Sequence, residues 1–143
     1  MAIRRCTSAV AALLLAACSI TQEVKPIAVA GKAICVIANP KVSQPEFVVA
    51  YERELRARGY EVQMLSADSS LIACPLTSTY TANWNWDLAL YMSYAELKVY
   101  NEGKVVAEAI YDSRRGGGNM GKFIKAEEKI KELVGLMLPK PPN

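Results

Sequence analysis

The sequence contains no histidine. Histidine is the side chain whose ordinary pKa lies closest to neutrality, and it is the commonest transition-metal ligand. Its absence excludes Ser-His-Asp and Cys-His catalysis in their usual form. Acid–base chemistry near neutral pH would then need a carboxylate, tyrosine or lysine with a strongly shifted pKa. We therefore expect a protein that is not an enzyme and that holds neither a metal nor another cofactor.

Aspartate is also scarce, since only Asp68, Asp87 and Asp112 occur. Together with scattered glutamates, they match neither the carboxylate pair of a glycosidase nor a calcium-binding loop. Lys and Arg number 17 against 14 Asp and Glu, and no block of like charge stands out. Because nucleic-acid binding depends on concentrated positive charge, we expect no nucleic-acid partner.

A long hydrophobic run is missing as well. The apolar stretch over residues 9–17 has nine residues, whereas a bilayer-spanning helix needs roughly 20. Arg4 and Arg5 precede the stretch, and Leu14-Leu15-Ala16-Ala17 leads directly to Cys18. This layout resembles the lipobox of a bacterial lipoprotein signal peptide. It predicts cleavage before Cys18 and a diacylglycerol-cysteine there, with a further acyl chain such as palmitate on its amine. The alternative is an ordinary signal with a chance cysteine.

The residue after Cys18 bears on the destination of the protein. An aspartate there resembles an inner-membrane retention signal of Gram-negative lipoproteins, whereas Ser19 implies export to the outer membrane. Two or more acyl chains anchor a protein stably. We expect an outer-membrane lipoprotein that faces the periplasm, with a signal peptide (1–17), a lipidated tether (18–32), a single domain (33–138) and a tail (139–143).

Cysteine is used sparingly, with four in the chain. Cys6 leaves with the signal and Cys18 carries the lipid, so Cys35 and Cys74 remain in an oxidising compartment. We predict a Cys35–Cys74 disulfide, which closes a loop of about 40 residues and stabilises the fold by roughly 4 kcal/mol in the chain-entropy description. The alternative is two buried free thiols.

Hydrophobic periodicity predicts one α/β (α+β) domain in the order β-α-β-β-β-β-α. The expected architecture is a two-layer sandwich, with two helices on one face of a mixed, mainly antiparallel sheet of about five strands. The strands are expected over 33–38, 60–65, 77–86, 88–100 and 105–111, with a possible short edge strand over 27–30. The helices are expected to begin at Pro45-Glu46 and after Asn119, which can cap the second helix.

The segment from Gly116 to Lys122 fits the pattern G-x-x-x-x-G-K of a phosphate-binding loop. Phe123 stands where that motif needs Ser or Thr, so a nucleotide-binding loop is not expected. A weaker hypothesis is an anion or ligand loop at a helix N-terminus. Its candidate residues are Arg114, Arg115, Gly116, Gly117, Gly118, Asn119 and Lys122. The alternative is a mobile connection without a ligand.

Aromatic side chains alternate along the third predicted strand, where Tyr80, Trp84 and Trp86 share one face. Aromatic rings can stack on sugars or peptides, but on strands they more often fill the core. Solvent exposure of Trp84 and Trp86 separates the two interpretations. Exposed indoles would favour a ligand or partner site, and buried indoles would belong to the core.

Several segments together resemble a family of small proteobacterial lipoproteins of uncharacterised function. They are the lipobox, CSITQEVKP, ICVIANPKV, STYTANWNWDLALYM and IYDSRRGGGNMGKFI, and they span nearly the whole mature chain. The resemblance implies a lipid-anchored envelope protein with a compact α/β domain and transfers no catalytic residues. We expect a non-enzymatic interaction or accessory module that contacts an envelope protein or the cell wall. The alternative is a periplasmic binder of a small anionic or glycan ligand through the 114–122 loop or the Trp84/Trp86 strand.

Overall fold

The computed structural model describes residues 19–140. The predicted signal peptide, the predicted lipidation site Cys18 and residues 141–143 lie outside this range. The described elements are β1 (Thr21–Lys25), β2 (Ala33–Ile37), α1 (Glu46–Ala57), β3 (Glu61–Leu65), β4 (Leu76–Asp87), β5 (Ala89–Asn101), β6 (Lys104–Asp112), a 3-10 turn (Met120–Phe123) and α2 (Ala126–Met137).

The strands form one mixed sheet in the order β1-β6-β5-β4-β2-β3. Strand β2 runs parallel to both β3 and β4, and the remaining neighbours are antiparallel. The predicted α+β class is confirmed, with six strands in place of about five. The additional strand is β1, which lies within the segment predicted as a tether, and residues 27–30 are not a strand. Strand β1 pairs with β6 along its full length and so covers what would otherwise be the sheet edge.

The two helices contact each other and share one hydrophobic cluster with the sheet. Helix α1 contributes Phe47, Tyr51 and Leu55, and α2 contributes Leu133 and Met137, all of them almost fully buried. Burying a large apolar side chain contributes about 1.5–3 kcal/mol. Helix burial therefore holds the helical layer against one face of the sheet.

The predicted disulfide is confirmed. Cys35 in β2 is bonded to Cys74, which lies two residues before β4, and their Cα atoms are 6.1 Å apart. The bond joins the two strands near the start of their parallel pairing, where Cys35 stands opposite Thr77.

The second helix begins later than predicted. The Asn119 side chain accepts a hydrogen bond from the Gly121 amide at 2.9 Å, but this caps the short 3-10 turn. Helix α2 starts at Ala126, after the extended residue Lys125. The prediction that Asn119 caps the long helix is wrong, because Ile124 and Lys125 have extended backbones that separate the turn from the helix.

Candidate functional site

The β4–β5 hairpin extends beyond the rest of the sheet. Strand β6 ends at Asp112, opposite Tyr94 of β5, and β2 pairs with β4 only at Thr77 and Ser78. Residues 84–92 therefore pair only with each other, and we call this two-stranded segment the arm. Its strands meet at Leu88.

A β-bulge marks the base of the arm. Asn83 pairs with Tyr94 and Trp84 pairs with Met92, so Ser93 has no opposite residue. The Ser93 hydroxyl donates to the Asn83 carbonyl at 3.2 Å, and the Ser93 carbonyl accepts from the Ser113 amide at 2.9 Å. Because bulges bend and twist a strand, these two serines set the direction in which the arm leaves the sheet. The sequence patterns do not predict this bulge. The one signal for it is Ser93, a polar residue within an apolar run.

The two tryptophans have different surroundings. Trp84 is half-buried and packs edge-on against Phe47 of α1, with 6.0 Å between ring centroids. Trp86 stands two residues further along the same face, opposite Leu90, and beyond the cover of the helices. Its exposed fraction is 74%, and that of Leu90 is 52%. The predicted shared face is correct, but only Trp84 belongs to the core.

Leu88 forms the end of the arm. It is 93% exposed and has a backbone φ of 61°. This left-handed conformation suits glycine or asparagine and costs other residues roughly 1–2 kcal/mol. The sequence Asp87-Leu88-Ala89 carries no glycine or proline, so the prediction placed two strands here without recognising their turn.

The Gly-rich loop starts with an internal ion pair. The Arg114 Nε donates to Asp112 Oδ1 at 2.9 Å, and the guanidinium lies 4.7 Å from the Tyr94 ring centroid. Hydrogen bonding from Arg114 holds the pKa of Asp112 below its usual range. Burial, together with a hydrogen bond to Glu96, raises the pKa of Tyr94 to about 12. Arg114 is therefore already engaged with residues of β5 and β6.

Lys122 links the loop to the arm. It is 4% exposed, and its ammonium donates to the Asp87 carboxylate and to the Gly117 carbonyl. The same nitrogen lies 5.2 Å and 5.3 Å from the ring centroids of Tyr91 and Phe123. Lys122 thus joins the loop to Asp87, the residue that precedes Leu88 at the end of the arm.

The structure places the other predicted loop residues around this link. Gly116 is buried and Gly117 has a φ of 49°, whereas Arg115, Gly118 and Asn119 are exposed. The loop leads into a 3-10 turn and not directly into an α-helix. Two of the three cations predicted to hold an anion therefore have internal partners, and the amides of an α-helix N-terminus do not face the loop.

The N-terminal end of the described chain lies against this loop. Thr21 pairs with Asp112 at the end of the sheet. The Ile20 side chain lies 3.4 Å and 3.5 Å from the positions that a Cβ atom would take at Gly116 and Gly121, so Ile20 is within contact range of the loop. A cleft of about 460 Å³ opens beside it, lined by Ser19, Thr21, Asp112, Arg114 and Arg115.

Two further depressions flank β4. One, of about 630 Å³, lies where β2 and β4 diverge. There the Asn39 amide and its side-chain Nδ2 donate to the hydroxyl and carbonyl of Tyr80, and Asn39 Oδ1 accepts from Lys41. The other is a groove of about 480 Å³ between α1, the arm and the 3-10 turn, with Trp84 and Leu90 in its wall.

Within residues 19–140, no group of three His, Cys, Asp or Glu side chains is placed to hold a metal ion. In the same range, none of the helices is both long and apolar enough to cross a membrane.

Comparison with known proteins finds solved structures with a similar fold. No protein-family model and no curated protein matches the sequence. The structure is similar to a PelC dodecamer from Paraburkholderia phytofirmans in space group P6, with a TM-score of 0.55 and 14% identity over 83% of this chain and 98% of that chain. A PelC variant dodecamer in space group C2 gives the same TM-score and identity over 85% of this chain and 98% of that chain. At this identity, the similarity shows that the chain shares its fold with PelC.

Proposed function

We propose that the protein is a lipid-anchored outer-membrane lipoprotein whose domain faces the periplasm and serves as a non-enzymatic interaction module of the envelope. The observation that carries the interaction role is the placement of apolar surface. Among residues 19–140, the three most exposed large apolar side chains are Leu88, Trp86 and Met120, and they lie on the arm and the adjoining 3-10 turn. Clustered exposed apolar side chains are typical of a surface that binds a partner or a membrane.

The polar groups beside this surface support the same proposal. Arg114 is paired with Asp112, Lys122 is paired with Asp87, and the Asn39 side chain is bonded to its neighbours. A site for a small polar ligand normally presents convergent polar groups that are ready to bind it. Here most of these groups have internal partners, so apolar contact is the interaction that the surface favours.

We further propose that the protein acts as a homo-oligomer that assists an envelope protein or acts at the cell wall. PelC, whose fold it shares, forms dodecamers. A symmetric homo-oligomer repeats one kind of contact between copies of the same chain. The support for self-assembly is the shared fold.

Metabolic labelling with palmitate and membrane fractionation test the anchor. We expect the full-length chain to incorporate label and to fractionate with outer membranes. The Cys18→Ser variant should remain unlabelled and be absent from the outer-membrane fraction. An unlabelled wild-type chain would contradict the lipoprotein proposal.

Native mass spectrometry of the detergent-extracted wild-type protein tests assembly in the same preparation. A monomer at micromolar concentration would contradict the proposed homo-oligomer.

A second candidate function is binding of a glycan through Trp86, favoured by the exposure of its indole on the arm. Titration of the mature chain, expressed without residues 1–17 and carrying Cys18→Ser, with peptidoglycan fragments should then change tryptophan emission in a saturable way. Trp86→Ala should abolish the change, and Trp84→Phe should preserve it. A flat titration would remove this candidate.

A further inference from the structure

We propose that the tip of the arm, formed by Trp86, Leu88 and Leu90 together with Met120, enters the surface of the lipid bilayer beside the acyl chains of Cys18. This inference rests on the proposed function, because it requires Cys18 to be the anchored residue. It goes further by naming the lipid surface as the occupant of the exposed apolar side chains. The domain would then touch the membrane at two places and hold a fixed orientation.

The path of the chain brings the anchor to this end of the sheet. Cys18 directly precedes Ser19, and covalent geometry keeps their Cα atoms about 3.8 Å apart. Strand β1 begins at Thr21, opposite Asp112, and Ile20 lies close to the Gly-rich loop. Only Ser19 and Ile20 separate the acylated residue from the sheet. This leaves no long spacer to hold the domain away from the bilayer.

The arm projects from the same end. Asp112 pairs with both Thr21 of β1 and Tyr94 of β5, so the start of β1 and the base of the arm lie at one level of the sheet. From there the arm continues past Trp84 and Met92 to Leu88. Four residues of extended strand span roughly 13 Å. Interfacial segments enter the headgroup region by about 5–10 Å, so the arm is long enough for its tip to reach it.

The side chains of the tip suit the membrane interface. Trp86 offers a large apolar ring with one N–H, a combination enriched at the boundary between lipid and water. Leu88 and Met120 are 93% and 74% exposed, so each presents its apolar side chain to the surroundings. Asp87, the one acidic residue within the arm, is paired with Lys122 and so does not present an uncompensated carboxylate to the lipid.

The cleft beside Ser19 supports the same orientation. Its lining includes Arg115, which is exposed, together with Ser19, the residue that follows the proposed lipidation site. Arginine side chains close to a bilayer attract anionic phospholipid headgroups. The strands of the arm also keep open edges, whose backbone groups need water, so the tip would enter the interface and not the hydrocarbon core.

The opposite end of the sheet provides a matched comparison. Ile72 is 68% exposed and lies 3.2 Å from the position a Cβ would take at Gly103, in the turn between β5 and β6. It is an apolar side chain of similar exposure, but it is separated from the arm by the full length of β5. A membrane contact at the arm predicts that Ile72 stays in water.

The test measures the depth of each tryptophan in the anchored protein. The acylated full chain is reconstituted in vesicles of phosphatidylethanolamine and phosphatidylglycerol that carry brominated acyl chains. Trp84→Phe leaves Trp86 as the sole tryptophan, since the chain has only two. We expect its emission to shift to the blue and to fall at least twofold relative to vesicles without bromine. Trp86→Phe leaves the half-buried Trp84, for which we expect much weaker quenching.

A second measurement uses the mature chain, expressed without residues 1–17 and carrying Cys18→Ser, whose weak partitioning into the same vesicles depends on the arm. Leu88→Ser combined with Met120→Ser should lower the partition coefficient about tenfold, and Ile72→Ser should leave it unchanged. An acylated chain whose Trp86 emission is unquenched by bromine would overturn this inference alone. A blue shift without quenching that depends on protein concentration would also overturn it and assign the tip to a second copy. A chain that carries no acyl group would overturn both this inference and the lipoprotein proposal.

Discussion

Leu88 combines the highest exposure among the large apolar side chains with a left-handed backbone. Each feature alone is unfavourable for a leucine, because an apolar side chain faces solvent and the Cβ atom crowds the following carbonyl. Residues held in sparsely populated backbone conformations tend to cluster at functional positions. Folding alone would be served better by glycine or asparagine here, so Leu88 is consistent with a role for its side chain outside the isolated domain.

Replacing this residue should therefore separate stability from function. We expect Leu88→Gly to raise the free energy of unfolding by about 0.5–1 kcal/mol, since relief of the left-handed strain exceeds the added entropy of the unfolded chain. Urea unfolding followed by circular dichroism measures the change. Leu90→Gly is the control and should lower stability, because Leu90 is in the extended part of β5. A Leu88→Gly variant less stable than wild type would show that the side chain stabilises the isolated fold.

At the scale of elements, the arm is held by few contacts. Beyond the bulge at Ser93 its two strands pair only with each other. The 3-10 turn supports one side through Lys122 and the edge-on pair of Tyr91 and Phe123. A two-stranded hairpin is marginally stable by itself in water. The Lys122 ammonium is therefore the main polar connection between the arm and the Gly-rich loop.

Removing that ammonium should loosen the arm and the loop together. Lys122→Met keeps most of the apolar stem but leaves the Gly117 carbonyl without its donor, and we expect a loss of about 1–2 kcal/mol. Hydrogen exchange should become faster for amides of residues 84–92 and 114–119, with β2 and β3 unchanged. Asp87, the ion-pair partner of Lys122, has a side chain that is 54% exposed. Asp87→Asn should therefore lower the free energy of unfolding by less than about 1 kcal/mol. Unchanged exchange in Lys122→Met would show that the aromatic contacts alone hold the arm.

At the scale of the whole molecule, the disulfide joins parts of the chain that are distant in sequence. Cys35 and Cys74 are separated by 39 positions, and the intervening chain contains α1 and β3. The bond therefore constrains a large part of the domain in the unfolded state. It also joins the two strands whose direct pairing is short, since β2 and β4 share only the positions at Cys35 and Val36.

Loss of this bond should lower global stability without changing the fold. We expect Cys35→Ala combined with Cys74→Ala to reduce the free energy of unfolding by roughly 3–4 kcal/mol, from the greater entropy of the unfolded chain. Urea unfolding in the presence and absence of a thiol reductant measures this. Cys18→Ser retains the bond and should match the oxidised wild type. Insensitivity of the wild type to reductant would contradict the stabilising role.

Local patterns in the sequence were sufficient for most of the fold. The apolar run at 33–38 predicted a buried strand and the alternation at 77–86 a half-buried one. The stripe through Phe47 and Leu55 predicted α1, and the pair of remaining cysteines predicted the disulfide. The strands and the helix follow from the spacing of apolar residues that are close in sequence. The disulfide follows from the number of cysteines left in the predicted oxidising compartment. The late start of α2 and the strand β1 escaped prediction, because short extended segments have weak local signals.

The surface of the molecule was decided by tertiary structure. The alternation along β4 places Trp84 and Trp86 on one face, but only the length of the helical layer determines that Trp84 is covered and Trp86 is not. Likewise, the charges of Arg114 and Lys122 are evident in the sequence, whereas their engagement by Asp112 and Asp87 requires the folded register. Sequence by itself determined the fold class and the disulfide, because each follows from local composition and spacing, and it predicts the cellular address. The exposed arm and its position at the same end of the sheet as residue 19 follow from contacts between distant segments, which only the tertiary structure brings together.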